Sequence, residues 1–164
     1  MIKKNLITSI IALVFVFAAV WSIEAQTDSR LNGTWSGEVI EGYITEIKLN
    51  NGNFEILTNG VSDTRGTYTA SNGVFTMKPV SVYGEAFNAS AGVQLLEKKW
   101  YTINEFAGAI KNIFKQYGLS EADIDQILYL IVNPYPSTYS VDSSSLTLTT
   151  EIEGQKSVMT YKKR

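Results

Sequence analysis

From residue 31 onward the chain is a succession of short alternating segments cut apart by Asn-Gly steps. Asn50-Asn51-Gly52, Asn59-Gly60 and Ser71-Asn72-Gly73 follow one another with only strand-length stretches between them. Asn and Gly tolerate the positive φ that two-residue hairpin turns require, so each step predicts a reversal between antiparallel neighbours. A chain punctuated this way has little room for crossover helices. It must build its core by wrapping hairpins around it.

Period-two reading supplies the strands. Thr34 to Ile40 places Trp35, Gly37 and Val39 on one face. Tyr43 to Leu49 groups Tyr43, Thr45, Ile47 and Leu49, and Phe54 to Thr58 groups Phe54, Ile56 and Thr58. Arg65 to Ala70 sets Tyr68 opposite Thr67 and Thr69, and Val74 to Pro79 returns from the next turn. Val80 to Phe87 and Leu95 to Ile103 read as two further strands. Tyr139 to Val141, Ser145 to Glu151 and Gln155 to Lys162 complete the set, the last two joined at Glu153-Gly154. Eight to ten hairpin-linked strands rich in Thr, Tyr and Val favour a mainly β fold. The expected architecture is an antiparallel up-and-down β-barrel of about eight strands.

One stretch changes period. Phe106, Ile110, Ile113, Phe114 and Tyr117 fall on one helical face, with Asn104 as the expected cap and Gly118 as the stop. Ser120 then caps a second helix, with Glu121 and Asp123 in its first turn and Ile124, Ile127, Leu128 and Ile131 on its apolar face. Asn133-Pro134-Tyr135-Pro136 ends it. A helical hairpin over 104–132 is thus expected as an insertion, packed over a barrel mouth or along the wall. A DNA-reading helix pair would need a basic surface, which this chain lacks.

The first residues read as an address. Lys3 and Lys4 precede an apolar run from Leu6 to Val20, and Ala25 offers a small residue for cleavage before Gln26. That order predicts a signal peptide over 1–25 and an exported, periplasmic or secreted, domain over 26–164. Removing 1–25 from 164 residues leaves about 139, enough for one ordinary core. Of 14 basic and 16 acidic residues, Lys3, Lys4 and Glu24 go with the leader, leaving 12 and 15, a net charge of −3. Nucleic acid is therefore not an expected partner. No further membrane insertion is expected after cleavage, and the domain is expected to be a monomer. With no Cys there is neither a lipid anchor at the cleavage site nor a disulfide, so stability must come from packing.

Catalytic chemistry finds few residues to use. The chain has no His and no Cys, which removes the usual general base, the thiol nucleophile and the usual zinc ligands. The acid pairs Glu38 with Glu41 and Asp123 with Asp125 read as solvated charges at strand ends and a helix start. Asp142 with Glu151 and Glu153 lacks the alternating oxygen-ligand spacing of a dedicated calcium loop. No enzyme, metal or cofactor is expected.

Three segments carry a resemblance. Gly33-Thr34-Trp35, Gly66-Thr67-Tyr68-Thr69 followed by Asn72-Gly73, and Leu146-Thr147-Leu148-Thr149 leading to Thr160-Tyr161-Lys162 resemble bacterial lipocalin-like domains of the calycin type. The likeness covers most of 31–103 and 139–164 and leaves the helical hairpin outside. It implies an eight-stranded barrel, often with an interior pocket for an apolar small molecule. It also implies a basic side chain packed on the first-strand Trp, a part that Lys162 or Arg164 would play over Trp35.

Binding is thus the expected function. The strand aromatics Tyr43, Phe54, Tyr68, Phe75, Tyr83 and Trp100 are the candidate ligand contacts, and Thr45 and Thr58 offer polar handles on the same face. Eight strands enclose an interior that side chains just fill or that holds one small ligand. An open interior makes the protein a carrier of a small hydrophobic ligand. A filled one makes it a structural or protein-interaction module, such as an inhibitor or an envelope scaffold.

Overall fold

The computed structural model describes residues 27–40, 43–91, 94–133, 136–152 and 154–164. The expected leader over 1–25, Glu41, Pro134, Tyr135 and Glu153 lie outside the described residues, and of Tyr43 only the backbone is described. The strands are β1 (Gly33–Ile40), β2 (Tyr43–Asn50), β3 (Asn53–Thr58), β4 (Val61–Ser71), β5 (Val74–Tyr83), β6 (Trp100–Thr102), β7 (Pro136–Val141), β8 (Ser145–Ile152) and β9 (Gln155–Lys163). The helices are α1 (Gly84–Ala91), α2 (Ile103–Gln116) and α3 (Glu121–Val132). Among the described residues no helix is long and apolar enough to cross a membrane.

Eight strands close on themselves in the order β4-β3-β2-β1-β9-β8-β7-β5, with β5 returning to β4 and every pairing antiparallel. The Asn-Gly turns do the work their sequence predicts. Asn51 and Gly52, Asn59 and Gly60, and Asn72 and Gly73 all have positive φ, between 46° and 83°. Two consecutive positive φ values are the geometry whose twist matches flanking strands.

The two ends of the barrel differ. At the lower end, bounded by the 50–53, 71–74 and 142–145 turns, a single 3-10 turn over Ser29–Leu31 seals the opening. Leu31 is wholly buried, and its carbonyl accepts the Trp35 indole N–H at 2.6 Å. Asn32 and Asn51 exchange two hydrogen bonds, and the Tyr68 hydroxyl donates to Asn32. Above this seal Trp35, Ile47, Phe54, Tyr68, Phe75 and Tyr161 pack as one cluster. Gly66 makes room for it, because a Cβ there would lie 2.7 Å from the Phe54 ring and 2.1 Å from the Lys78 carbonyl.

At the upper end β5 outruns the closed barrel. β7 pairs with it only over Val74–Thr76, and β6 takes the same edge over Ser81–Tyr83. Between Thr76 and Ser81 that edge has no ladder partner among the described residues. Val82 pairs with Thr64, which shares the inward parity of Gly66, Tyr68 and Ala70, so Val82 continues the barrel's inner face. A second cluster of Val82, Leu96, Tyr101, Phe106 and Ile110 covers that continuation.

Two expected strands are corrected here. Val80–Phe87 is the end of β5 followed by helix α1, and only Trp100–Thr102 of Leu95–Ile103 is a strand. The alternation of Val80, Val82 and Gly84 hides the break, but Phe87 turns to stack edge-on against Phe106 at 5.3 Å. Buried Asn88 then takes over the backbone groups a ladder would have satisfied. Its carbonyl oxygen accepts from the Leu95 and Leu96 amides, and its amide donates to the Leu96 carbonyl. A buried backbone must find partners somewhere, and here one side chain provides three.

The helical hairpin over 104–132 is present with its boundaries nearly as expected. Its cap is Thr102 rather than Asn104: Thr102 and Glu105 form a reciprocal capping box, which fixes the start one turn edge earlier. Gly118 at φ 80° ends α2, with the Gly118 and Leu119 amides bonded back to Lys115 and Phe114, and Ser120 caps α3 by accepting from the Asp123 amide. Helix α2 packs on β5 and β6, and α3 packs on α2.

Candidate functional site

The ladders determine which side chains face the barrel interior, and burial then separates two zones. In the lower zone inward-facing Trp35, Ile47, Leu49, Phe54 and Tyr68 are sealed. In the upper zone the inward-facing Thr45, Ile56, Thr58, Thr64 and Met77 are each only half-buried. On the far wall inward-facing Thr150 and Met159 are likewise half-buried, while Ser157 is exposed. These inward-facing side chains still reach solvent, while Ile56, Met77 and Met159 also pack against the lower cluster. This upper zone is rich in hydroxyls, and Ser137 and Thr150, partners in the β7–β8 ladder, hydrogen-bond to each other at 2.6 Å.

One carboxylate belongs to this lining. The β3–β4 ladder slips between Ile56 and Leu57, so Asp63 is the extra residue of a bulge. Bulges redirect a side chain out of the regular alternation. Here the redirected carboxylate accepts from the Thr58 hydroxyl on one oxygen and the Thr64 hydroxyl on the other, both at 3.0 Å. Both threonines face inward, which brings Asp63 to the inner rim. In sequence, Ser62-Asp63 reads as part of a polar turn, and only the bulge gives it a place in the site.

The aromatic candidates divide into two groups. Phe54, Tyr68 and Phe75 are together in the sealed lower cluster, where Tyr68 and Phe75 have ring centroids 5.4 Å apart. Burial also pushes the Tyr68 phenol above its ordinary pKa. Tyr83 and Trp100 pair across β5 and β6 with centroids 5.4 Å apart, on the outer wall. There Arg65 lies 4.1 Å over the Trp100 ring and donates two hydrogen bonds to Glu55. The Ser62 hydroxyl, with Arg65 and Lys48 behind it, holds the Glu55 carboxyl below its ordinary pKa. Tyr43 lies at the start of β2, at the upper end, with its side chain outside the described residues. Thr45 and Thr58, the polar handles legible in the sequence, are neighbours across β2 and β3 in the upper zone.

The basic residue over Trp35 is Lys163, 5.0 Å from the indole centroid, rather than Lys162 or Arg164. Register decides this. Trp35 pairs with Lys163, so both share the inner face, while Arg164 turns outward to an ion pair with Glu46.

Among the described residues three open clefts lie around the lower end, and the one of about 480 Å³ beneath the barrel is lined by Thr27, Asp28, Arg30, Asn72 and Tyr139. Its charges are already matched. Arg30 forks onto Asp28, the Tyr139 hydroxyl donates to the same carboxylate at 3.1 Å, and Asp28 is held down to a pKa of about 2. Three of the other acid candidates are also engaged: Asp142 accepts from the Ser144 and Ser145 amides, Asp123 accepts from the Ser120 hydroxyl and Asp125 pairs with Lys111. Among the described residues no group of three or more acidic side chains is placed to hold a metal ion.

Comparison with protein-family models, with curated proteins and with solved structures finds no match for this chain.

Proposed function

We propose that the protein is an exported, lipocalin-like carrier that holds one small amphipathic molecule in the upper half of its barrel. The observation that carries this reading is the contrast between the two zones of the inner face. The lower aromatic cluster is sealed, while the upper inward-facing side chains still meet solvent. A pocket of this kind combines apolar wall, here Ile56, Met77 and Met159, with a few placed polar groups. Phe54, Tyr68 and Phe75 form its floor rather than its walls. Helix α2 packs on β5 and β6, where in this reading it would limit access.

Titration of a fluorescent apolar probe into residues 26–164, and into a version with 104–132 replaced by a short Gly-Ser loop, tests the proposal. Saturable binding by the intact domain with altered affinity or rate in the loop version is expected. Two well-folded proteins that both fail to bind any uncharged or charged probe saturably would move the assignment to the alternative, a protein-interaction module. That alternative draws on the exposed aromatic rings of Tyr117 and Tyr129 on the helical hairpin.

A further inference from the structure

We infer that the ligand enters with a protonated amino group, or another cationic hydrogen-bond donor, seated on Asp63. This rests on the carrier reading and adds the chemistry of the head group. The bulge at the β3–β4 ladder brings the Asp63 carboxylate to the inner rim, between Thr58 and Thr64. Each threonine hydroxyl donates its single hydrogen to one carboxylate oxygen. A hydroxyl has one hydrogen and two lone pairs, so both threonines have only acceptor capacity left for the cavity. Two carboxylate oxygens and two hydroxyl oxygens therefore offer acceptors without a donor. Such a rim favours an ammonium, which brings three donors and a positive charge, and disfavours the carboxylate head of a fatty acid.

No cation among the described residues meets this demand. Among the described residues Asp63 has hydrogen bonds to Thr58 and Thr64 and no ion pair. Arg65, two residues away, points to the outer wall and is held by Glu55 and Trp100. Around the helices, Lys98 pairs with Glu85, Lys99 with Glu97, Lys111 with Asp125 and Lys115 with Glu121. Lys78, Lys156 and Lys162 occupy outward positions of β5 and β9, and Lys163 lies at the sealed end over Trp35. A half-buried carboxylate held between two inward-facing threonines, with no counter-ion among the described residues, is suited to receive one.

The test is calorimetric titration of three probes with one chain length, n-octylamine, n-octanol and octanoate, into residues 26–164 and into Asp63→Asn at neutral pH. For the parent domain, octylamine is expected to bind at least about tenfold more tightly than octanoate, the scale of one charge-assisted hydrogen bond. Asp63→Asn is expected to lose about tenfold for octylamine and clearly less for octanol, which brings one donor and no charge. A salt series on the parent domain needs no variant: octylamine binding is expected to weaken with ionic strength and octanol binding to hold. Octanoate binding as tightly as octylamine, or octylamine binding that ignores both Asp63→Asn and salt, overturns the head-group assignment and leaves the carrier intact. Absence of saturable binding by all three probes to the folded domain overturns the carrier and this inference together.

Discussion

At the scale of single residues, Trp35 ties three features of the barrel together. It is 0 % exposed, its indole N–H seals the lower end through Leu31, and Lys163 covers its ring across the β1–β9 seam. Removing a large aromatic from such a place leaves a cavity that the closed ladders cannot collapse around. Trp35→Ala is expected to cost about 3–5 kcal/mol, read as a lowered urea midpoint at unchanged m-value. A loss below about 1 kcal/mol would mean that the seam does not depend on this side chain. Asp28 gives a second residue-scale expectation. Its pKa falls from 3.8 to about 2, first through hydrogen bonding to Arg30. A folded pKa below the unfolded one means that the carboxylate stabilises the fold fully above about pH 4. That contribution then drains as pH falls toward 2. The difference in urea midpoint between the parent and Asp28→Asn should therefore be constant from pH 5 to 7 and shrink toward zero near pH 2. A difference that grows on acidification would contradict the pairing.

At the scale of elements, the helical hairpin is an addition to the barrel and not a part of its core. The lower cluster contains no residue of α1, α2 or α3, and the second cluster draws on β5, β6, α1, α2 and Leu128 of α3. Replacing 104–132 by a Gly-Ser loop should then leave the barrel cooperative, with Trp35 still shielded from an external fluorescence quencher. Exposure of Trp35 in that variant would show that the two clusters fold as one. Helix α1 and the segment after it teach a related lesson. Local alternation through Val80–Phe87 matches a strand, yet the stacking of Phe87 on Phe106 and the three hydrogen bonds of Asn88 draw the chain out of the sheet. Tertiary partners outweigh a local pattern where the pattern is short. The capping box at Thr102 was present in the residues themselves, as Thr-x-x-Glu, and marks the helix start better than the nearer Asn104.

At the scale of the whole molecule, closure turns a list of hairpins into a barrel with one sealed end. The strands, their Asn-Gly turns, the helix pair and the stop at Gly118 are all legible along the chain, because each depends on residues a few positions apart. Hydrophobic period, positive-φ tolerance and capping are local properties. The candidate site is less legible. Thr45 and Thr58 can be assigned to the inner face from alternation alone, but Asp63 cannot, since its direction depends on one extra residue in the β4 side of a ladder. Tyr83 and Trp100 look like the other strand aromatics, yet they lie on the outer wall because a bulge between Arg65 and Gly66 and the docking of β6 set the parity of that edge. The amino-acid order by itself therefore determined an antiparallel, hairpin-linked barrel with a helical insertion and without the side chains for common acid–base or thiol chemistry. Tertiary structure alone decided which end is sealed, which aromatics pack in the lower cluster and which on the outer wall, and that Asp63 is held between two threonines. Those outcomes depend on register around a closed ring, and a shift of one residue in any ladder reverses the face of every side chain beyond it.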